Sequence, residues 1–319
     1  MTAYSERLVL HDTALPRLEN SQIALQKIRE DLAARPVLST DRFAVYAVGS
    51  HGRREVGAKS DLDIFVIASG PSTEVAQLDR YEVFAALIEA NRTLKYPPFS
   101  GDGRFLSIYG VETLLASTGS PTDDSENCFT ARLLMLLESA PLTNDVLFNS
   151  AVNRICQNYY RDQKGRKDFK PLYLLNDLLR YWRTLCLNYE QHRSDRGRPW
   201  WKKNVNLKFA RRMTVFSMVS ILVAELANTP EDLMRLVGIR PIERFAIVLD
   251  LLQPKEINPD RFSAFLADYE LFLTEKELGA NSASEHRVLA EAELRFKRFI
   301  AELLSSQALK EELRHYLIS

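Results

Sequence analysis

The sequence predicts an α+β protein, with a small mixed-sheet head over residues 1–140 and an all-helical domain over residues 141–319. Two apolar runs, 43–48 and 62–68, have the length of buried strands and flank a Gly-Ser turn. A third short strand is expected at 104–109. Beyond it strand signals nearly vanish and helical periodicity replaces them. A chain of 319 residues is long enough for about two domains.

Two predicted helices accompany these strands. Apolar residues at helical spacing predict the first helix over 13–35, where Pro36 ends it. A second helical stripe predicts a helix over 74–96, which stops at a Pro-Pro pair. Its aromatic residues Tyr81 and Phe84 are expected in the core. Both helices are therefore expected to cover the sheet.

Helices account for most of the chain after the third strand. Short helices are expected at 111–117 and 128–139, and Asp123 and Asp124 are expected in a solvated loop between them. The later helices are predicted at 143–163, 171–191, 204–227, 240–252, 258–276 and 283–318. The change in character near residue 140 is the predicted domain boundary.

The stretch 48–67 carries the polar residues on which a functional prediction depends. Asp61 and Asp63 lie two residues apart at the start of the second strand, so their side chains are expected on one face. Mg²⁺ prefers oxygen ligands and is commonly bound by one or two carboxylates together with substrate phosphates. This spacing therefore indicates a site for a divalent cation.

The Gly-Ser pair at the end of the first strand supplies a second element of the predicted site. Gly49 permits a positive φ and a close approach of backbone to ligand. Free N–H groups at the start of a short helix after Ser50 would favour a phosphate. Metal and phosphate would then meet at one edge of the sheet.

The pattern G-S-x-G-R-x-E-x-x-x-x-S-D-x-D, which starts at Gly49, resembles the nucleotidyltransferases of the DNA polymerase beta superfamily. The residues of this motif are most similar to those of the small bacterial branch that includes the transferase module of the PII-protein uridylyltransferase. The resemblance is specific over residues 40–70 and weakens through residue 215. The His-Asp hydrolase motif of the larger uridylyltransferases is missing from this sequence, so their reverse reaction is not implied.

The resemblance implies transfer of an NMP from an NTP to an acceptor hydroxyl, with release of pyrophosphate. The acceptor class stays open between a protein, an RNA end and a small molecule. The implied cofactor is Mg²⁺ or Mn²⁺, bound by Asp61, Asp63 and a third carboxylate. Asp102, between two glycines, is the expected third ligand and proton acceptor, and Glu112 at the opposite end of the third strand is the alternative.

The same resemblance assigns the phosphate contacts. Gly49 and Ser50 would hold the β- and γ-phosphates, and Ser60 occupies a matching position of the motif. Arg53 is expected either to neutralise the phosphates or to pair with Glu55. The histidine at the variable position 51 receives no role.

A basic region follows the head. Between residues 161 and 212 the sequence has fifteen Lys and Arg against five Asp and Glu. Helical spacing places cationic side chains together on one face of each of two predicted helices. These side chains would either contact the triphosphate or be solvated. They are Arg180 and Arg183 on the first helix and Lys208 and Arg211 on the second. The segment 193–212, with two tryptophans, is a candidate for contact with RNA.

Composition limits the class of protein. Lys and Arg equal Asp and Glu at 42 each, so overall charge predicts no polyanionic partner. Three scattered cysteines, an absent signal peptide and no long apolar run favour free thiols, no membrane partner and a cytoplasmic location. A metal-dependent, ATP-binding type of transferase is the leading hypothesis. The alternatives are a catalytically weak NTP-sensing protein and an RNA-binding regulatory protein.

Overall fold

The computed structural model describes residues 3–99, 103, 106–116, 118–164, 166, 169–191, 204–252, 257–278, 283–307, 309 and 315. The chain divides into two compact units, which are described separately. The sheet unit comprises residues 16–164 and 229–240, and the helical unit comprises residues 1–15, 165–228 and 241–319. A small mixed sheet combined with many helices confirms the predicted α+β class.

The sheet unit is built on four short strands. They are β1 (Phe43–Ala47), β2 (Ile64–Ala68), β3 (Ile108–Gly110) and β4 (Ala140–Pro141). Their order is β3-β2-β1-β4, with β1 antiparallel to both β2 and β4 and with β2 parallel to β3. The sheet is therefore mixed, as predicted.

Helices cover both faces of this sheet. The helices of the sheet unit include α2 (Arg17–Ala33), α3 (Gly49–Gly52), α4 (Gln77–Thr93), α5 (Val111–Ala116), α6 (Pro121–Ser125), α7 (Cys128–Leu137), α8 (Asp145–Tyr159) and α11 (Pro230–Val237). Single 3₁₀ turns occur at Pro36–Leu38 and Ser72–Glu74. In the helical unit, α1 (Ala3–Ala14), α9 (Leu172–Gln191), a π-helical turn (Leu207–Arg211), α10 (Arg212–Val223), α12 (Pro241–Leu252), α13 (Pro259–Leu278) and α14 (Ala283–Leu304) follow one another.

Period-two alternation in β1 divides its fully buried side chains between two layers. On one face Phe43, Val45 and Ala47 join a core cluster with residues of α2 and α4. On the other face Tyr46 stacks on Phe65 at 5.6 Å between ring centroids and donates to a carbonyl of α7. Both faces of the central strand are thus apolar, which explains its continuous hydrophobic run.

Several sequence predictions need correction. Tyr81 is 63% exposed, so it is not in the core; the face of α4 that packs on the sheet is formed by Val83 and Leu87. The short strand β4 and the helix α11 were not predicted. A two-residue strand shows no measurable period, and an edge position tolerates its proline, Pro141.

The helix α8 is part of the sheet unit, and the domain boundary predicted near residue 140 stays a prediction. Phe148 of α8 contacts the ring of Tyr46 in the central strand, with centroids 5.6 Å apart. The helical unit, conversely, includes α1, whose Tyr4 hydroxyl donates to the carbonyl of Ile257. The contacts therefore follow side-chain packing rather than chain order.

The helical unit is organised around an aromatic core. Phe265 stacks on Phe296 and on Phe299, each at 4.4 Å between centroids, and Phe209 stacks on Phe272 at 4.9 Å.

None of the described helices is long and apolar enough to cross a membrane. The three cysteines carry free thiols, and Cys128 and Cys156 are buried.

Asp123 does not lie in a solvated loop as predicted. It sits in α6 with a fully buried side chain, and its carboxylate accepts hydrogen bonds of 2.7 and 2.8 Å from Arg132, which is equally buried. Arg132 also bonds the Tyr159 hydroxyl and the Leu114 carbonyl. A paired buried charge of this kind depends on both partners.

We predict that Asp123→Asn lowers the free energy of unfolding by about 3–5 kcal/mol, because it leaves the Arg132 guanidinium buried without its counter-charge. Urea unfolding measures this. Asp124→Asn at the exposed neighbouring position is the control, expected to change stability by less than about 0.5 kcal/mol. Equal unfolding midpoints for the two variants would contradict the assignment.

Candidate functional site

The Gly-Ser turn leaves the end of β1 at the edge of the sheet. Val48 is extended, and its N–H donates to the carbonyl of Asp63 at 2.9 Å, which continues the β1–β2 pairing by one residue. Gly49 then adopts φ +64°, a left-handed conformation that favours glycine. Gly49 is also the first residue of the single turn α3, and all four residues of this turn are buried.

Gly52, at the end of α3, makes the closest backbone approach of the site. A Cβ added here would lie 1.8 Å from the carbonyl oxygen of Glu138, so no other residue fits without moving the chain. The strand β4 begins two residues after Glu138 and pairs with β1. The glycine therefore lets the turn pack directly on the segment that enters β4.

The two aspartates lie immediately before β2 at the same edge. Asp61 and Asp63 are exposed, whereas Leu62 between them is 3% exposed. This alternation of exposure is the one expected if both carboxylates lie on one side of the segment, which stays a prediction. Asp63 also approaches the turn, since a Cβ at Gly49 would lie 2.6 Å from its Oδ2. The carboxylate and the glycine turn are therefore direct neighbours.

Arg53 faces inward rather than toward solvent. It is 4% exposed, its Nε donates to Glu55 at 2.8 Å, and its Nη1 donates to Glu138 at 2.7 Å. Of the two roles that the sequence left open for Arg53, pairing with Glu55 is the one that the structure shows. The guanidinium is thus engaged by two carboxylates beneath the turn.

The two serines of the motif differ in their surroundings. Ser50 is 6% exposed, and its Oγ finds no hydrogen-bond partner among the described residues. A buried hydroxyl without a partner is uncommon, and it marks a place where a ligand atom or water can bind. Ser60 accepts a 3.0 Å hydrogen bond from the N–H of Gly57, so it fixes the loop that delivers Asp61.

His51, which received no role from the sequence, is completely buried. Its Nε2 lies 3.0 Å from the hydroxyl of Tyr96. Burial lowers the pKa of His51 to about 4, against an opposing effect of the neighbouring Asp61. The imidazole is therefore neutral at pH 7 and adds no positive charge to the site.

The predicted third carboxylate, Asp102, lies outside the described residues. Glu112, the alternative, follows the far end of β3 and pairs with Arg154 at 2.7 Å. This hydrogen bond lowers the pKa of the Glu112 carboxyl. In the parallel register Ile108 is level with Val66 in the middle of β2, and Gly110 is level with Ala68 at its end, so Glu112 lies beyond the end of β2 that is opposite to Asp63. Glu112 is thus at the wrong end of the sheet to share a cation with Asp63.

The described part of the chain contains no cluster of three or more His, Cys, Asp or Glu side chains that could hold a metal ion. Asp61 and Asp63 belong to that part of the chain, and Asp102 does not. The two carboxylates remain the candidate ligands, and Asp102 as the third ligand stays a prediction.

The basic residues predicted to contact phosphate belong to the helical unit. Arg180 Nε lies 3.5 Å from Asp177 on α9. Lys208, in the π-helical turn with Arg211, has its Nζ 3.9 Å from Glu293. Arg183 is exposed on α9. Contact of these four cations with a nucleotide at the aspartates involves both units and stays a prediction.

The segment 193–212 was predicted to contact RNA. Residues 192–203, including both tryptophans of the predicted loop, lie outside the described part of the chain. Residues 204–212 are described and are helical. The proposed contact with RNA is therefore untested.

An open cavity of about 420 Å³ adjoins the motif within the sheet unit. Ser60 and Tyr96 form part of its wall, and Lys27 and Lys95 supply its charge. Lys95 has φ +61°, a conformation that is uncommon outside glycine. The described residues that line the cavity include no carboxylate, so its charge suits an anionic molecule.

Glu138 and Tyr96 are the site residues that sequence reasoning missed. Glu138 follows the apolar run 133–137 and precedes β4 by two residues, and this isolated acid was the available signal. Its partners are 85 and 89 residues away in the chain, so no local pattern connects them. Tyr96 follows α4 and carries no motif.

Comparison with known proteins adds no assignment. A scan against models of protein families and a search of curated proteins found no match for this chain. The site must therefore be interpreted from its own geometry.

We predict that Gly49→Ala lowers the free energy of unfolding by about 1–2 kcal/mol, the cost of a left-handed conformation for a residue with a Cβ. Displacement of the Asp63 carboxylate adds to this cost. Gly238→Ala is the control, since Gly238 has φ −78° and no atom within 4 Å of an added Cβ. Urea unfolding compares them. If Gly49→Ala were as stable as the control, the turn would not need its glycine.

Proposed function

We propose that this protein is a metal-dependent nucleotidyltransferase, which transfers an NMP from an NTP to an acceptor hydroxyl and releases pyrophosphate. The observation that carries the proposal is the contact between the glycine turn and the carboxylate of Asp63, with Asp61 beside it. A turn suited to phosphate and a pair of carboxylates suited to a cation occupy one sheet edge. The sequence motif independently resembles those of nucleotidyltransferases.

The donor set fits a hard divalent cation. Asp61 and Asp63 present carboxylate oxygens on one exposed side of a segment that the β1–β2 pairing holds in place. Mg²⁺ or Mn²⁺ held by these residues would neutralise phosphate charge and lower the pKa of the acceptor hydroxyl. The same two carboxylates would repel a nucleotide that arrived without cations.

The residues of the turn would bind and orient the nucleotide. The Ser50 hydroxyl, buried and without a partner in the described structure, is available to donate to a phosphate oxygen. Gly49 lets a phosphate approach the backbone beside Asp63. His51 is neutral and bonded to Tyr96, so it stiffens the turn from inside. Ser50 and Gly49 would thus contact the phosphate, and His51 would support them from inside the fold.

In the proposed reaction, the acceptor oxygen forms a bond to the α-phosphorus of the NTP. The bond between the α-phosphorus and the bridging oxygen of the β-phosphate breaks, and pyrophosphate leaves with that oxygen. The proton of the acceptor hydroxyl passes to a carboxylate, for which the sequence prediction is Asp102. An anionic acceptor would suit the cavity beside Ser60, where Lys27 and Lys95 lie.

Two alternative hypotheses about the function are tested by the labelling experiment described below. An NTP-sensing protein would bind nucleotide at this site without transfer. An RNA-binding regulatory protein would need neither aspartate, and its affinity for RNA would fall steeply with salt concentration.

The three free thiols agree with a reducing compartment, and we infer a cytoplasmic location from them.

We predict that Asp61→Asn/Asp63→Asn abolishes transfer of label from α-³²P NTPs, a loss of at least about a hundredfold, because the cation loses its ligands. The assay incubates each of the four NTPs with Mg²⁺ or Mn²⁺ and a cell extract. Glu82→Gln, at an exposed position of α4, is the matched control and should retain full transfer.

The labelling and binding results distinguish the three functional hypotheses. Label on an RNA, a protein or a small molecule with the native chain alone supports the transferase and identifies its acceptor class. Equal labelling by the aspartate variant would refute the proposed site. Metal-dependent NTP binding without labelling would favour the sensing protein, and RNA binding that ignores both aspartates would favour the third reading.

A further inference from the structure

We propose that Glu138 is a positioning residue that holds the phosphate-binding turn in register with Asp63. The proposal rests on the proposed nucleotidyltransferase function and adds to it a residue that the motif does not contain. Glu138 would act through Gly49 and not by touching substrate, since its side chain is completely buried.

The Glu138 carboxylate connects both ends of α3. Its Oε1 accepts from the N–H of Gly49 at 3.3 Å, and its Oε2 accepts from Arg53 Nη1 at 2.7 Å. Gly49 is the first residue of α3, and Arg53 directly follows its last residue. One side chain therefore fixes the beginning and the end of the single turn that carries Ser50.

The backbone of Glu138 is held as firmly as its side chain. Its N–H donates to the carbonyl of Leu134 at 3.0 Å at the end of α7, and Ala140 pairs with Ala47 in the sheet. The Glu138 carbonyl lies against Gly52, where only a glycine fits. These contacts make Glu138 a rigid support beneath the turn.

Loss of the Oε1 acceptor would release Gly49. Its N–H is buried, and a buried donor without an acceptor favours any rearrangement that reaches water. The Cα of Gly49 is packed against the Asp63 carboxylate, so a shift of the turn changes the distance between Ser50 and that carboxylate. The expected result is weaker nucleotide binding rather than loss of the fold.

The charge of Glu138 has a separate purpose, which is to balance Arg53. Replacing Glu138 alone would remove one of the two carboxylates that pair with Arg53, the other being Glu55, and would destabilise the unit. The test therefore uses a background in which Arg53 is already neutral. In that background glutamine at position 138 can still accept the Gly49 N–H, and methionine cannot.

The experiment compares Arg53→Met/Glu138→Gln with Arg53→Met/Glu138→Met. Glutamine keeps an acceptor oxygen, whereas methionine has similar volume and no comparable acceptor. We expect similar unfolding midpoints in urea. We expect the Kd for Mg²⁺ complexes of ATP, GTP, CTP and UTP, measured in parallel, to be about five- to tenfold weaker with methionine for whichever NTP binds. A merely structural role would shift the midpoint and leave the Kd of the folded fraction unchanged.

The native chain and Asp61→Asn/Asp63→Asn are measured alongside. If the native chain binds an NTP through the aspartates but the glutamine and methionine variants bind it equally, the role of Glu138 is refuted and the proposed function stands. If the native chain binds no NTP, or if the aspartate variant binds as well as the native chain, the proposed function fails, and the inference on Glu138 fails with it.

Discussion

The antiparallel pairing of β1 with β2 is the constraint on which the candidate site depends. It places Ala47 opposite Ile64, and the Val48 N–H extends the ladder to the carbonyl of Asp63. A slip of one residue would turn every side chain of β2 to the other face. It would also move Asp63 away from Gly49. The apolar layers on both faces of the sheet therefore determine where a carboxylate meets a glycine turn.

Buried charge is concentrated directly beneath that turn. Arg53 lies between Glu55 and Glu138, both less exposed than most carboxylates, with side chains 10% and 0% accessible. A buried ion pair adds little net stability over an apolar replacement, but it tolerates very few arrangements of its partners. Here it connects β1, the loop before β2 and the segment before β4. Specificity of geometry, more than stability, is what such a network offers a site.

The sequence predicted the parts of the site that depend on local geometry. The exposed, buried, exposed alternation of Asp61, Leu62 and Asp63 follows from the period of a strand, and the left-handed φ of Gly49 follows from its missing Cβ. The role of Glu138 was missed because its contacts lie 85 and 89 residues away in the chain, so that no local pattern connects it to the turn. The four-strand mixed sheet was predicted in class but not in full, since β4 has only two residues.

The distribution of charge around the turn explains why cations are needed for its proposed chemistry. Arg53, the buried cation beside the turn, already faces two carboxylates, and burial keeps His51 neutral. Asp61 and Asp63 add negative charge on the exposed side. A triphosphate is itself a polyanion, so its approach is opposed by Coulomb repulsion unless positive charge accompanies it. Divalent ions on the two aspartates would meet this need at the point where we propose that the turn binds phosphate. The proposed function therefore requires that metal and nucleotide bind together, since each alone would bind weakly to this distribution of charge.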